Sequence, residues 1–368
     1  MEHRVWKMDG ASRRQFLQSL AALGATTILP SGRLMAQTAS PASAKPNRID
    51  VHHHIMPSFY LTRERERIFA GIDIEPSILE NWTPAKSLQE MDKYGVSTSI
   101  ASIPLPGVWL GDVAYARSLT RSFNEYLAQM VKDHPGRFGM FAALPLPDPE
   151  GSLKEIAYAL DVLHADGIGL LTSYEDKWPG EAAYAPVFEE LNRRKAVVYF
   201  HPATPACCRN LIPGVPAIIT EVIFDTARAI TSLLVNGVFA RFPDIRFIFS
   251  HAGGAMTVLA NRTTAFFGRH KELAERAAPQ GVSYELKKLH YEVANSTNPS
   301  SMSALMNMAP TSQILFGSDF PYVPLGATAT GLDNFTLSPG DKQAINRDNA
   351  LRLFPRLRRE QGTGNREQ

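Results

Sequence analysis

The sequence predicts an α/β fold and, within that class, a (β/α)8 TIM barrel. Three observations support this: brief apolar runs alternate with helical patterning, eight such runs can be counted, and four of them lead into histidine or aspartate. Buried parallel strands give short apolar runs, and strands that alternate with helices indicate a parallel sheet wrapped by helices. A chain of 368 residues with 44% hydrophobic residues is long enough for one such barrel.

The eight predicted strands are short and apolar. They cover residues 49–52, 96–103, 138–144, 167–171, 196–200, 245–249, 291–294 and 314–317. Each is separated from the next by a segment long enough for a crossover connection. We therefore expect consecutive strands to run parallel to one another.

Helical patterning lies between these strands. It covers residues 84–94, 118–134, 152–165, 185–195 and 225–242. Ser152 and Glu155 have the spacing of a capping box, which predicts that the third of these helices begins at Ser152. The proline-rich segment 202–216 is too long for an ordinary connection, and we expect it to cover a substrate.

Four of the apolar runs carry the candidate chemistry at their carboxyl ends. They read IDVHHH at 49–54, VVYFH at 197–201, IFSH at 248–251 and ILFGSD at 314–319. Barrel enzymes place their active sites at the carboxyl ends of the strands, so these side chains are expected to converge there.

The first run is the most informative of the four. Alternate residues of a strand face the same side, so His52 and His54 can bind one ion while His53 points away. Neutral imidazoles together with one carboxylate form a nitrogen and oxygen site suited to a divalent transition metal. Such sites typically leave one position open for water or substrate, which predicts a catalytic metal.

Composition excludes several classes of partner. The 38 basic and 36 acidic side chains leave a net charge of +2, whereas nucleic-acid binding requires a concentrated basic face. Cys207 and Cys208 are the only cysteines and are too few for a metal cluster. We therefore expect a small-molecule substrate and no nucleic acid.

The first 44 residues resemble an export signal. Arg13 and Arg14 precede an apolar stretch over residues 17–29, and small residues end at Ala44. This pattern predicts twin-arginine export to the periplasm, with an apolar core too short to remain as a membrane anchor. The alternative is an untargeted tail with a chance arginine pair. The predicted division is therefore a signal at 1–44, a barrel at 45–355 and a polar tail at 356–368.

Over residues 48–357 the chain resembles the amidohydrolase superfamily, in the branch of aminocarboxymuconate-semialdehyde decarboxylase and the 6-methylsalicylate decarboxylase-like proteins. The motifs that carry the resemblance are RIDVHHH at 48–54, HPGRFG at 134–139, FDTAR at 224–228, SHAGG at 250–254 and FGSDFP at 316–321. The resemblance implies a TIM barrel of the metal-dependent hydrolase type.

It also implies a ligand set. His52, His54, His201 and Asp319 would hold one divalent metal, with zinc preferred and manganese as the alternative. The fourth strand, residues 167–171, lacks the lysine that bridges two metals in binuclear members, so a single ion is expected. His251 takes the place of the family's nonligand histidine and would act as acid or base, because histidine can shuttle a proton near neutral pH.

Two reactions are compatible with a metal held by these residues and with His251 beside it. In nonoxidative decarboxylation, Asp319 would protonate the ring carbon of a hydroxylated aromatic or related unsaturated acid. In hydrolysis, Asp319 or His251 would deprotonate a metal-bound water that attacks an amide or lactone. The full-length resemblance favours the decarboxylase, a carboxy-lyase. A third class is an exported binding protein or a protein that has kept its metal site but lost its activity. The presence of both His251 and Asp319 argues against this class.

Arg262, eleven residues after His251, corresponds to an arginine that reaches into the neighbouring subunit and binds a substrate carboxylate. A guanidinium suits that task, so the resemblance implies a homodimer. The alternative is an ordinary surface arginine. Glu75 occupies the spacing of a second substrate arginine, which leaves the identity of the substrate open.

Three aromatic residues follow strand ends and are candidates to bind an aromatic substrate. They are Trp109, Phe320 and Tyr322. Each could stack on a substrate ring or simply pack against the protein.

Overall fold

The computed structural model of the chain describes residues 47–70 and 74–358, and it contains eight parallel strands paired in chain order. They are β1 Arg48–His54, β2 Val96–Ser102, β3 Phe138–Ala143, β4 Gly167–Leu171, β5 Val197–His201, β6 Arg246–Phe249, β7 His290–Glu292 and β8 Ile314–Leu315. The predicted (β/α)8 barrel is confirmed. The predicted signal at 1–44 and residues 359–368 of the predicted tail lie outside the described residues.

The barrel closes between its first and last strands. The Val51 amide donates to the Phe316 carbonyl at 3.0 Å, and the Asp319 amide donates to the His52 carbonyl at 2.8 Å. β8 is shorter than the predicted 314–317, because the Phe316 amide turns to the Ile345 carbonyl at 3.0 Å. The chain beyond β8 therefore still runs beside β1 and brings Asp319 next to the histidines.

Helices follow or lie between the strands and cover the barrel. They are Ser58–Ala70, Pro76–Glu80, Pro84–Tyr94, Val113–Asp133, Pro149–Ala157, Ala185–Arg193, Glu221–Val235, Val238–Arg241, Met256–Arg269, Lys271–Ala277, Val282–Lys288, Pro299–Met308, Leu325–Asn334, Pro339–Gln343 and Asn349–Leu353. No helix within the described ranges is both long and apolar enough to span a membrane.

The prediction that a helix begins at Ser152 is wrong. That helix, Pro149–Ala157, begins three residues earlier with proline in its first turn and Asp148 before it. Proline suits the first turn because the amide it lacks has no helical partner there. The Ser152 hydroxyl donates to the Asp148 carbonyl at 2.7 Å, and Glu155 accepts from Asn124 at 2.8 Å instead of capping.

Two other helix predictions differ from the structure at their ends. The helix predicted over 118–134 begins at Val113, because the Asp112 carboxylate accepts from the Tyr115 amide at 2.7 Å and caps it. The helix predicted over 225–242 begins at Glu221 and is broken at Gly237, whose φ of 70° is left-handed.

The amino-terminal half of the barrel interior is filled with apolar side chains. They are Ile49, Val51, Ile100, Phe141, Val197, Tyr199, Ile248 and Leu315, together with Ala350, Leu353, Phe354 and Leu357 from the last helical segment. Leu357 is buried, and Arg356 pairs with Asp166 at 2.7 Å. Packed structure thus extends two residues past the predicted boundary at 355, because residues 350–357 cover this end of the barrel.

Candidate metal centre

Four side chains converge at the carboxyl end of the barrel. His52 and His54 come from β1, His201 ends β5, and Asp319 follows β8. The Nε2 atoms of His52 and His54 are 3.0 Å apart, and Asp319 Oδ1 lies 3.1 and 3.3 Å from them. The ligand atoms of the four residues all lie within 4.8 Å of one another. The structure therefore brings together the set expected to bind a metal.

Each histidine of the set has its Nδ1 occupied by an oxygen. Nδ1 of His52 contacts Glu292 Oε1 at 2.8 Å, that of His54 contacts the Ile103 carbonyl at 3.1 Å, and that of His201 contacts the Pro202 carbonyl at 2.9 Å. An oxygen acceptor at Nδ1 places the proton there and leaves Nε2 free to coordinate.

These distances fit one cation. Metal bonds of about 2.0–2.1 Å in a tetrahedral site put neighbouring ligand atoms roughly 3.3 Å apart. The measured spacings among His52, His54 and Asp319 are 3.0 to 3.3 Å. β4, Gly167–Leu171, contributes no metal-binding side chain. The donor set is therefore one for a single divalent ion.

The electrostatics of the site favour positive charge at the same point. Burial opposes protonation of His52, but the carboxylates of Glu292 and Asp319 raise its pKa to about 10. Burial and the neighbouring imidazoles lower the pKa of His201 well below the usual range. Burial opposes ionisation of Asp319, yet His52 and His54 hold its pKa well below the usual range. Asp319 is thus ionised and His201 is neutral, as a cation requires, and His52 can bind a cation once it gives up its proton.

Asp319 presents its two oxygens to different neighbours. Oδ1 faces the two β1 histidines, whereas Oδ2 accepts from Asn295 Nδ2 at 3.1 Å and lies 3.8 Å from His251 Nε2. The backbone of Asp319 has a φ of 64°, which is uncommon for a residue with a side chain. One oxygen can therefore bind a cation while the other takes part in proton transfer.

Asp50 fixes the loop that carries Asp319. Its buried carboxylate accepts from the Ser318 amide at 2.9 Å, from the Ser318 hydroxyl at 2.6 Å and from the His52 amide at 3.0 Å. The same carboxylate contacts His53 Nδ1 at 3.2 Å, on the face of β1 opposite the cluster. Asp50 thus ties the first strand to the residue immediately before Asp319.

His251 lies beside the cluster with a fixed orientation. Its Nδ1 contacts the Ala294 carbonyl at 3.0 Å, and its amide donates to Glu292 Oε1 at 2.8 Å. Its φ of 52° is left-handed, so the strand end bends sharply at this residue. Nε2 lies 3.8 Å from Asp319 Oδ2, and the ring also packs edge-on against His52, with ring centroids 5.2 Å apart.

The predicted substrate-binding residues are placed differently from one another. Tyr322 packs edge-on against the His54 ring at 5.1 Å and so borders the cluster. Phe320 stacks on His53 at 5.2 Å, on the other face of β1, and Trp109 donates to Glu175 at 3.1 Å. Arg262 is exposed on the helix Met256–Arg269. Only Tyr322 contacts a residue of the cluster in these interactions.

Two residues at the site were missed by the sequence analysis. Glu292 contacts both His52 and His251, and Asn295 contacts Asp319. Glu292 could have been predicted from the sequence, because it lies within the apolar strand predicted over residues 291–294. A buried acidic residue almost always has a partner, so a functional contact could have been expected there. No pattern in the sequence points to Asn295, because polar residues are common in loops.

The profile of the amidohydrolase family matches residues 49–356. The decarboxylase yanB of Aspergillus niger is 35% identical over 329 residues, which cover 84% of this chain and 88% of that protein. The 6-methylsalicylic acid decarboxylase of Penicillium expansum is 33% identical over 318 residues, which cover 84% of this chain and 97% of that protein.

A solved structure of dihydroxybenzoic acid decarboxylase from Polaromonas sp. also resembles this chain. It has bound manganese and an inhibitor, 2-nitroresorcinol, and it superposes with a TM-score of 0.74. The match covers 84% of this chain and 97% of that one at 22% identity. At that identity the likeness supports the barrel fold.

Proposed function

The chain belongs to the amidohydrolase family, and from this premise we propose that it decarboxylates a hydroxylated aromatic acid in a metal-dependent, nonoxidative reaction. Relatives at 33% and 35% identity are named decarboxylases, and they match 84% of this chain. They support a carboxy-lyase over the alternative, a hydrolase of amides or lactones. The observation that carries the proposal is this near full-length similarity together with the buried set of three histidines and one aspartate.

The site takes one divalent ion, and we infer zinc, with manganese as the alternative. His52, His54, His201 and Asp319 would hold it. When bound, the ion supplies a Lewis acid that fixes the carboxylate and hydroxyl oxygens of the substrate and stabilises negative charge. Elemental analysis of the purified protein tests the choice: about one equivalent of zinc per chain is expected, and manganese alone would contradict it.

Residues of this chain would transfer the one proton that the reaction requires. In the reaction the bond between the ring carbon and the carboxyl carbon breaks, carbon dioxide leaves, and the ring carbon gains a proton. His251 Nε2, 3.8 Å away, would first pass a proton to Oδ2 of the ionised Asp319, and Asp319 would then deliver that proton to the ring carbon. Asn295, which donates to Oδ2 at 3.1 Å, would hold the carboxylate in place.

A substrate panel tests the reaction. Metal-loaded protein is incubated with 2-hydroxybenzoates and, separately, with amides and lactones, while carbon dioxide, phenols and hydrolysis products are measured. Release of carbon dioxide with an equal amount of phenol is expected. Turnover confined to amides or lactones would reverse the proposal. An Asp319→Asn variant controls for contaminating activity, because it removes a predicted ligand and proton carrier.

We also propose that the protein is a homodimer in which Arg262 reaches the partner's site. Val258, Arg262 and Phe266 are spaced four residues apart on the helix Met256–Arg269, so they share one face. Val258 is 72% exposed and Phe266 is 41% exposed. An arginine between two exposed apolar side chains is a composition typical of interfaces.

Neighbouring segments extend this exposed apolar surface. Ile219 is 64% exposed and Phe224 is 47% exposed. Ile219 ends a turn that contacts the helix Glu221–Val235, and that helix also contacts Met256–Arg269. Apolar side chains on adjoining segments support an interface between two copies of the chain.

Subunit mixing tests the role of Arg262. Arg262→Ala should lower kcat/KM by about ten- to a hundredfold, since a charge-assisted contact to a carboxylate is lost. This variant is then mixed and refolded with an inactive His251→Asn variant. In a mixed dimer, one site would combine His251 of the first subunit with Arg262 of the second and would be intact, whereas the other site would lack both residues. Recovery of about a quarter of wild-type activity is expected. Lys287→Ala, also exposed, is the control. No recovery, or a monomer in solution, would refute the arrangement.

Finally, we propose export through the twin-arginine pathway, on the basis of Arg13, Arg14 and the apolar stretch that follows them. Replacing both arginines with lysine should retain the protein in the cytoplasm, as measured by cell fractionation. Arg4→Lys, outside the motif, is the matched control. Unchanged distribution of the double variant would contradict this localisation.

A further inference from the structure

The imidazole of His201, a residue of the metal centre, is oriented by the peptide unit that follows it. Its Nδ1 contacts the Pro202 carbonyl at 2.9 Å. The amide of the same peptide unit belongs to Ala203 and donates to the Thr172 hydroxyl oxygen at 2.8 Å. A peptide unit is planar, so its carbonyl and its amide turn together. The contact between Thr172 and Ala203 therefore also fixes the carbonyl that His201 uses.

Thr172 lies directly after β4 and is held by two further hydrogen bonds. Its amide donates to the His201 carbonyl at 2.9 Å, which continues the pairing of β4 with β5. Its hydroxyl donates to Asp225 Oδ2 at 2.5 Å. The side chains of Thr172 and Asp225 are both buried. Asp225, Thr172 and Ala203 thus begin a chain of hydrogen bonds that ends at Nδ1 of His201.

The carboxylate of Asp225 is surrounded by hydrogen-bond donors. The Ser173 hydroxyl donates to Oδ2 at 2.8 Å, and the Trp178 indole donates to Oδ1 at 2.8 Å. The guanidinium of Arg228 is more distant, at 3.9 Å from Oδ1. Burial raises the pKa of Asp225, while the hydrogen bonds from Thr172, Trp178 and Ser173 favour its ionised form. The carboxylate therefore acts as an acceptor and keeps the Thr172 hydroxyl directed towards it.

This chain gives His201 a carboxylate partner at one remove, whereas His52 has one in direct contact. Glu292 Oε1 contacts Nδ1 of His52 at 2.8 Å. Asp225 reaches Nδ1 of His201 through one hydroxyl and one peptide unit. An acceptor at the second nitrogen of a metal-binding imidazole fixes the ring and raises the basicity of the ligand atom. Hydrogen bonds in a chain polarise one another, so a carboxylate at its far end strengthens this effect.

We propose that Asp225 is a positioning residue for the metal ligand His201 and acts on it through Thr172 and the peptide unit after His201. This rests on the proposed metal site but not on the reaction that occurs there. It also gives a role to the FDTAR motif at 224–228, whose acidic residue is Asp225. Interrupting the chain should weaken metal binding by about tenfold, the lower end of the range for partners of metal-binding histidines.

The zinc affinity of three variants tests the proposal. Thr172→Val removes the hydroxyl but keeps the shape of the side chain, and Thr172→Ser keeps the hydroxyl. Ser173→Ala is the matched control, because it removes another hydroxyl that donates to the same carboxylate but lies outside the chain to His201. The affinity of the metal-free full-length protein for zinc is measured by competition with a chelator.

We expect zinc to bind about tenfold more weakly to Thr172→Val and with nearly wild-type affinity to Thr172→Ser and Ser173→Ala. Unchanged affinity in Thr172→Val would overturn the proposal. Equal losses in Thr172→Val and Ser173→Ala would overturn it as well, because they would indicate a general loss of packing around Asp225.

A double-variant cycle connects the effect to Asp225. Asp225→Asn keeps the shape of the side chain and removes its charge. Combined with Thr172→Val, it should weaken zinc binding no more than the stronger single variant, because both changes interrupt the same chain. Additive losses would refute the connection. Urea unfolding of the metal-free proteins shows which variants fold, and the comparison of Thr172→Val with Thr172→Ser and Ser173→Ala decides if Asp225→Asn does not.

The same measurements separate this inference from the proposed reaction. Weaker zinc binding in Thr172→Val supports the role of the chain even if no benzoate is decarboxylated. Unchanged binding in that variant refutes it even if the wild-type protein is an active decarboxylase. Absence of zinc binding in the wild-type protein would overturn the metal site and this inference together.

Discussion

The two ends of the barrel interior are built by the same strands but differ in chemistry. On β5, Val197 and Tyr199 face the amino-terminal half, and His201, on the same side of the strand, reaches the metal centre. Tyr199 marks the boundary, because its ring stacks on Phe141 at 5.1 Å and lies 5.4 Å from the His52 ring. A single strand therefore supplies both packing and chemistry.

The ends also differ in how polar groups are paired. At the carboxyl end Nδ1 of each clustered imidazole has an oxygen partner, including that of His251. Near the amino end, Nδ1 of His290, the first residue of β7, has no hydrogen-bond partner among the described residues. Nδ1 is therefore paired on each imidazole of the metal centre but not on His290 at the amino end. The amino end instead contributes stability through apolar burial.

The largest effect is expected at the carboxyl end. His251→Asn should lower kcat by about 10²–10⁴-fold, because it removes a proton carrier, while the metal content stays the same. Stopped assays and elemental analysis of the same sample measure both quantities. His270→Asn, at an exposed position, is the control. Loss of the metal in the His251 variant would make His251 a ligand instead.

At the amino end the expected effect is on stability. Phe354 is buried against Phe141, with ring centroids 5.9 Å apart. Phe354→Ala should lower the free energy of unfolding by about 3–5 kcal/mol, because it leaves a cavity in a packed core. Urea unfolding measures this change. The kcat/KM of the folded, metal-loaded fraction should stay unchanged, and a parallel loss of activity would show that the two ends are coupled.

Glu292 tests how the carboxyl end is organised. Glu292→Gln keeps the shape but removes the charge that contacts His52 and the His251 amide. Metal affinity or kcat/KM should fall by about ten- to a hundredfold, as for other partners of metal-binding histidines. Metal titration and kinetics measure the change. Glu285→Gln, a buried glutamate outside the site, is a matched control.

The smallest effect concerns pH. Burial, with Arg246 and Arg352 nearby, lowers the pKa of His290 from 6.5 to about 4. The unfolded chain therefore binds more protons between these values, and stability falls as the pH drops from about 6.5 to about 4. His290→Gln should remove part of that slope, at most about 1.4 kcal/mol per pH unit. Unfolding at several pH values measures it, and an unchanged slope would contradict the assignment.

Local patterns located the strands and the carboxyl-end residues correctly. The apolar run of β4, Gly167–Leu171, was predicted to the residue. Alternation along β1 placed His52 and His54 on one face and His53 on the other, where its Nε2 contacts Ser87 at 2.9 Å. These predictions succeeded because strand periodicity depends only on neighbouring residues.

Predictions that depended on distant contacts were less complete. The contact between His52 and Glu292 joins residues 240 positions apart, and the stacking of Phe320 on His53 joins the segment after β8 to β1. Neither follows from local spacing. Both depend on how β8 and the chain after it close against β1.

The sequence by itself determined the barrel, the order of its strands and the residues that reach its carboxyl end, because each rests on short-range periodicity and parallel pairing. Only the tertiary structure decided that Glu292 and Asn295 support the site, that residues 350–357 close the opposite end of the barrel, and that a chain of hydrogen bonds joins Asp225 to His201. These features arise where segments far apart in the sequence meet, and their geometry is fixed by barrel closure and close packing.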